Sequence, residues 1–338
     1  MTVENSASVT IVTMDTRFGK PVPYDKTAIR PRYEELPAVV RADIAARLGG
    51  EPVSVNAAGG GFTGGFAGVL TTADGNHMFV KAAGPQTPFV VDAYTREAHF
   101  NPALPADVPA PRLRYSAQIN DWVVLGMEPV AGKAPRLPFT SHELNLMLTA
   151  WEQAAAALTP APLNLVDLGV RDFALDAGPR FTHFAAAAAG DVEPTWMPVD
   201  IHGRLEELAE LEKDVPLALH GDAVVHGDLR PDNMILGEDR AWICDWNFSC
   251  IGAPWFDTVS LLITAHGDGH DAERLFWEHT TSRDVSSHQL DAVLAGVAGY
   301  YLSNGSRPLI DRVSPYLRQH QRWNGLATLD WLSQRRGW

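Results

Sequence analysis

The chain has 338 residues, 46% of them hydrophobic, enough to bury a substantial core as two domains or two lobes without disulfide staples. Its 41 acidic side chains against 27 basic ones give a formal charge of −14, which excludes a general nucleic-acid binder and an anionic membrane as partner, because both need a basic surface. The two cysteines, Cys244 and Cys250, lack C-x-x-C spacing and are expected to be reduced core thiols of a cytoplasmic protein. The opening MTVENSASVT has no basic region leading into an apolar one, and no apolar run reaches membrane-spanning length.

In chain order, residues 1–30 carry little periodicity and read as an N-terminal extension. YEELPAVVRADIAARLG, 33–49, has helical spacing and stops at Gly49, a C-cap residue. Residues 53–83 read as strand, glycine-rich turn, strand, ADGN turn, strand. YTREAHFNPAL reads as a short helix, and WVVLGMEPVAG, 122–132, as an apolar strand running into a Pro/Gly linker. From about 140 the pattern turns helical, in SHELNLMLTAWEQAAAALT and HGRLEELAELEKDV. The organisation expected is a small sheet-rich lobe over 31–127, a hinge at 128–132 and a larger helical lobe over 133–338.

VVHGDLRPDNMIL, 224–236, sets a histidine, two aspartates, an arginine and an asparagine between apolar runs. Unpaired polar groups are costly there, so the segment looks like a site. MIL and AWIC read as two strands joined by GEDR, and a hairpin brings Asn233 and Asp245 together at its open end. An amide oxygen beside a carboxylate is a hard-oxygen pair suited to Mg²⁺. Asp228 stands five residues before Asn233, on the loop entering the hairpin, where it can orient a hydroxyl near the metal. This is the layout of phosphoryl transfer. Its other parts stand upstream: GGGFTG, 59–64, fits G-x-G-x-x-G with Gly59, Gly61 and Gly64, and the following FAGVLTT reads as strand rather than helix, which argues against a Rossmann turn. Lys81 ends the apolar strand HMFVK, and Glu97 in the next helix is its natural partner.

HGDLRPDN followed by ICDWNFSCIGAPWFDTVSLL resembles the aminoglycoside phosphotransferase and choline kinase group, small-molecule kinases of protein-kinase-like fold, over roughly residues 50–262. The resemblance implies an α+β, two-lobed fold with a small antiparallel-sheet N-lobe and a mainly helical C-lobe. It implies Asp228 as the catalytic aspartate, Asn233 and Asp245 as metal holders, Lys81 on the α- and β-phosphates of ATP and Glu97 orienting Lys81. His226 and Asp257 would brace the catalytic loop, and the backbone near Glu128 and Val130 would receive adenine. Arg230 stands where protein kinases carry a lysine near the transferred phosphate. HGD in place of H-R-D, DWN in place of D-F-G and the lack of an A-P-E segment turn the expectation from a peptide to a small-molecule hydroxyl.

The expected activity is thus ATP- and Mg²⁺-dependent O-phosphorylation of a small molecule: an aminoglycoside or other antibiotic, or an amino sugar or other metabolite. The acidic balance, with GDVEPTW at 190–196 and Glu143 and Glu152 on helices, suits a cationic acceptor. Two readings of other classes compete. HGD occurs three times, the last within AHGDGHD, which would suit a metal-dependent hydrolase if those ligands converged. A nucleotide-binding pseudokinase would keep the fold and lose turnover, yet each expected catalytic position is filled.

Overall fold

The computed structural model of the protein describes residues 16–338. The expected extension over 1–30 therefore lies partly outside the described residues; its remainder, 16–30, packs into the molecule, with Tyr24 fully buried.

Helix α1, Ala38–Leu48, ends as expected on Gly49, whose φ of 88° is the left-handed cap conformation. Five strands follow: β1 Pro52–Ala57, β2 Phe66–Thr72, β3 His77–Ala83, β4 Leu113–Ile119 and β5 Trp122–Met127. They form one antiparallel sheet in the order β1-β2-β3-β5-β4. Helix α2, Pro88–Phe100, crosses between β3 and β4 and starts earlier than the sequence reading, with Pro88 in the first turn. Strand alternation sorts the two faces of this sheet. Met78, Val80 and Ala82 of β3 join Val40, Ile44 and Leu48 of α1 in one cluster. Ala83 of β3 and Leu125 of β5 join Val90 and Tyr94 of α2 in another. Lys81 lies between Val80 and Ala82, so it faces α2, and Glu97 follows Val90 and Tyr94 on the buried face of that helix.

Beyond β5 the chain is mainly helical. Thr140 caps α3, Ser141–Ala157, through a capping box with Glu143. The short α4 Leu163–Val166, α5 Phe173–Ala177 and α6 His183–Ala188 lead to α7 Leu205–Lys213 and α8 Val215–Leu219. The strands of this lobe are short. β6 Arg171–Asp172, β7 Ala223–Val225 and β10 Cys250–Gly252 make a three-stranded sheet in the order β6-β10-β7. β8 Met234–Leu236 and β9 Ala241–Ile243 make the hairpin expected after the HGD segment, Met234 facing Ile243. Helices α9 Trp255–Gly267, α10 Ala272–Glu278, α11 Ser287–Gly305 and α12 Tyr316–Arg336 complete the lobe. Its core joins Trp151 of α3, Val224 and Val225 of β7, Val259 of α9 and Leu294 of α11. No helix among the described residues is long and apolar enough to cross a membrane. Cys250 is buried, Cys244 half-buried, and both are free thiols whose pKa burial raises.

Candidate active site

The two lobes meet at Lys81. Its ammonium donates to both carboxylate oxygens of Glu97, at 2.8 and 2.6 Å, and to Asp245 at the mouth of the β8–β9 hairpin. Lys81 and Glu97 are 5% and 1% exposed, so this ion pair is held out of water. Burial alone would lower the lysine pKa; the carboxylates of Asp245 and Glu97 outweigh it and hold the ammonium charged above its usual value. Burial would raise Asp245, but the same ammonium keeps it below the carboxylate range. Asp245 also adopts a φ of 63°, a left-handed conformation rare outside glycine and the kind of backbone strain that collects at functional sites.

β7 delivers the HGD segment from the core of the helical lobe. His226 is fully buried: its Nε2 donates to the Cys244 carbonyl at 2.8 Å and its Nδ1 accepts from the Asp228 amide at 3.3 Å. Burial pushes its pKa down to about 4, so it is a neutral brace between loop and hairpin rather than an acid. Asp257, in the first turn of α9, accepts from the amides of His226 at 2.7 Å and Gly227 at 3.1 Å. Gly227 has a φ of 74°, and an added Cβ would lie 2.9 Å from the Phe248 carbonyl, so this turn tolerates no side chain.

Asp228 stands half-buried at the edge of that loop. The Asn233 side-chain amide donates to its backbone carbonyl at 2.8 Å, and among the described residues the Asn233 side-chain oxygen has no hydrogen-bond partner. Arg230 does more than the sequence suggested. One nitrogen bonds Asp228 at 2.6 Å, while Nε and Nη2 fork onto Asp232 at 3.0 and 3.1 Å. Asp232, with no exposed side-chain surface, pins the guanidinium beside Asp228. Sequence reading passed over Asp232 because two residues of separation carries no pairing rule outside a regular element. Burial pushes Asp228 up to about 6, with Arg230 pulling it down and Asp232 adding to the rise. A proton acceptor works only when ionised, so kcat/KM should hold above about pH 6 and fall as the pH drops through it. A pH profile beside that of Asp228→Asn checks this: a wild-type profile as flat as the variant's would remove Asp228 from the proton-accepting role.

The glycine turn joins β1 to β2 as expected, but its glycines are accounted for by packing. A Cβ on Gly59 would lie 2.1 Å from the Asp25 carbonyl, one on Gly61 2.9 Å from Arg30 and one on Gly64 2.8 Å from the Arg312 carbonyl. Phe62 at the tip reaches the helical lobe, its ring 5.4 Å from the Arg230 guanidinium and 4.9 Å from His320. At the hinge the Glu128 amide is spent on the Arg112 carbonyl; among the described residues the Glu128 carbonyl and Val130 amide have no backbone partner and can meet an adenine edge.

Asn233 and Asp245 offer an amide oxygen and a carboxylate oxygen not engaged by Lys81, a donor set that fits Mg²⁺ completed by water and phosphate. Among the described residues no group of three or more His, Cys, Asp or Glu side chains could hold a metal, so the three HGD segments do not converge as a metallohydrolase requires.

Beyond Asp228 an aromatic wall extends along α11. The Tyr300 and Tyr301 rings lie 5.6 Å apart, and Tyr300 contacts Phe181 at 5.8 Å and His183 at 6.2 Å. Apart from Asp228, the charges that act on Tyr300 are the guanidinium groups of Arg180, Arg230 and Arg307. Glu143 is taken up by Lys133 at 2.8 Å and by the cap of α3, and Glu152 acts on His279 instead.

Solved structures carry the same fold. A GDP complex of aminoglycoside 2′-phosphotransferase IIIa matches at a TM-score of 0.58 with 17% identity, over 85% of this chain and 92% of that one. A thermostable form of aminoglycoside phosphotransferase APH(4)-Ia, in complex with AMP-PNP and hygromycin B, matches at 0.56 with 13% identity, over 88% and 99%. At such identities the likeness is one of fold. Protein LicA of Haemophilus influenzae is 35% identical over 60 residues, 18% of this chain, and the match spans only 16% of LicA. The model of the phosphotransferase enzyme family, APH, matches residues 62–291, from the tip of the glycine turn through the HGD loop and the β8–β9 hairpin into α11, and the chain belongs to that family.

Proposed function

We propose that the protein is an ATP- and Mg²⁺-dependent O-phosphotransferase acting in the cytoplasm on a hydroxyl of a small molecule. The observation that carries this reading is Lys81 bonded to both Glu97 and Asp245 while Asp228 and Asn233 share the loop opposite. Lys81 meets the α- and β-phosphates, and Glu97 holds it there. Asp228 aligns the acceptor hydroxyl and takes its proton, and Arg230, fixed by Asp232, offsets charge on the transferred group. Mg²⁺ between Asn233 and Asp245 would neutralise charge on the phosphates. The remaining work is positioning, which this chain's own groups perform.

The acceptor side pairs aromatic faces with guanidinium groups. Sugar-like rings stack on such faces. An aminoglycoside or another antibiotic, or an amino sugar, would bring the cationic charge suited to the acidic surface, whereas the guanidinium groups suit an uncharged or acidic acceptor. ADP release measured over aminoglycosides, macrolides, hexosamines, amino alcohols and sugar acids separates the readings. ADP formed only when ATP, Mg²⁺ and an acceptor are all present is the result expected. Acceptor breakdown without ATP would establish a hydrolase, and nucleotide binding without turnover over the whole series a pseudokinase.

A further inference from the structure

Residues 24–30, which precede the family match and carry no motif, run along the glycine turn. Arg30 donates from all three of its nitrogens to carbonyls on both sides of the turn: Nε to Ala58 at 3.0 Å, Nη1 to Gly65 at 2.8 Å and Nη2 to Gly60 at 2.6 Å. Thr27 Oγ1 donates to the Gly61 carbonyl at 3.1 Å, and the Ala28 amide to that of Gly59 at 2.8 Å. The Phe62 carbonyl accepts from Ser314 at 2.9 Å. The carbonyls from Ala58 to Phe62, and that of Gly65, are therefore taken, while the amides from Gly59 to Gly64 have no backbone partner among the described residues. A run of free amides beside satisfied carbonyls is an anion cradle.

The segment is itself anchored in the helical lobe. Tyr24 is buried, its hydroxyl 3.1 Å from His320 Nδ1 and 3.2 Å from the Asn324 amide nitrogen of α12. Ser314 Oγ donates to the Thr27 carbonyl at 2.5 Å. Among the described residues Arg30 has no carboxylate partner, so its charge is not cancelled, and it acts on Asp245 and Tyr94 beside Lys81. We infer that Arg30 is a positioning residue for the nucleotide, holding the glycine turn by its carbonyls so that the amides face the phosphates and adding an uncancelled positive charge to the same corner. This rests on the nucleotide-binding reading above.

The test compares MgATP with adenosine, which lacks phosphates, by calorimetric titration of the full chain and its Arg30→Met and Arg30→Lys variants. Arg30→Met should weaken MgATP binding about ten- to a hundredfold, the scale of lost hydrogen bonds to a charged group, and leave adenosine affinity unchanged. Arg30→Lys keeps the charge but cannot span three carbonyls, so it should recover only part of the loss. It also decides the matter if Arg30→Met does not fold. Wild-type MgATP affinity in either folded variant would overturn the inference. So would an equal loss for MgATP and adenosine, which would make Arg30 a staple of the fold alone. A wild-type protein that binds no nucleotide would sink the nucleotide reading itself, a result recognisable before any variant is made.

Discussion

Asp228→Asn is expected to lower phosphoryl transfer by about 10²–10⁴-fold while MgATP still binds with near-normal affinity. The substitution keeps the side-chain shape and one oxygen for Arg230 but removes the charge and the proton acceptor. The loop should hold its geometry without the carboxylate. Arg230 stays forked onto Asp232, Asn233 bonds the backbone carbonyl of residue 228 at 2.8 Å and its side chain only at a longer 3.4 Å, and Asp257 ties down the amides of His226 and Gly227. Asp245→Ala should do the opposite, removing an oxygen suited to Mg²⁺ and weakening Mg²⁺-dependent nucleotide binding itself. Calorimetric titration of MgATP into both variants, with turnover measured on the same samples, tells the two carboxylates apart. If Asp228→Asn loses nucleotide binding and Asp245→Ala keeps it, the two roles are exchanged; if both variants keep binding and turnover, phosphoryl transfer does not take place at this loop.

The parts of this fold legible in the sequence are those set by local rules. The apolar run HMFVK put Lys81 on a strand, which the structure carries two residues further to Ala83, and the GEDR turn made a hairpin that returns Asp245 to Asn233. The Lys81–Glu97 pairing needed one further step, that the helix after the strand packs on the lysine's face. What escaped was fixed by tertiary contact. β6 and β7 run two and three residues and acquire partners only when β10 arrives, so no periodicity announces them. Residues 24–30 follow no periodic pattern because their order comes from the glycine turn and from His320 and Asn324, some 300 positions away. The glycines were legible as a turn, but the reason for them was not: Gly59 and Gly64 make room for the carbonyls of Asp25 and Arg312, and Gly61 for the arm of Arg30. Nothing in HGDLRPDN marks Asp232 as a partner of Arg230, since only the folded loop turns it under the guanidinium.

Lys81→Met should damage both stability and turnover, and the structure gives a way to separate them. Lys81 is enclosed with Glu97, and a buried charge that loses its partner is costly, about 3–5 kcal/mol. Asp245 also loses its ion pair, but its side chain is 39% exposed and water can compensate. The single variant should therefore unfold at lower denaturant and lack turnover, a result that by itself does not place Lys81 at the nucleotide. Glu97→Gln added to Lys81→Met removes the stranded charge while preserving the shape of the site beside Tyr94. The double variant should regain most of the lost stability, because no buried carboxylate is left without a cation. It should regain no turnover, because nothing then replaces the ammonium at the phosphates. Denaturant unfolding and steady-state kinetics on wild type, single and double variants make the comparison. Turnover returning together with stability would mean that Lys81 serves the fold and not the phosphates; stability returning alone fixes the ammonium as the group that meets them.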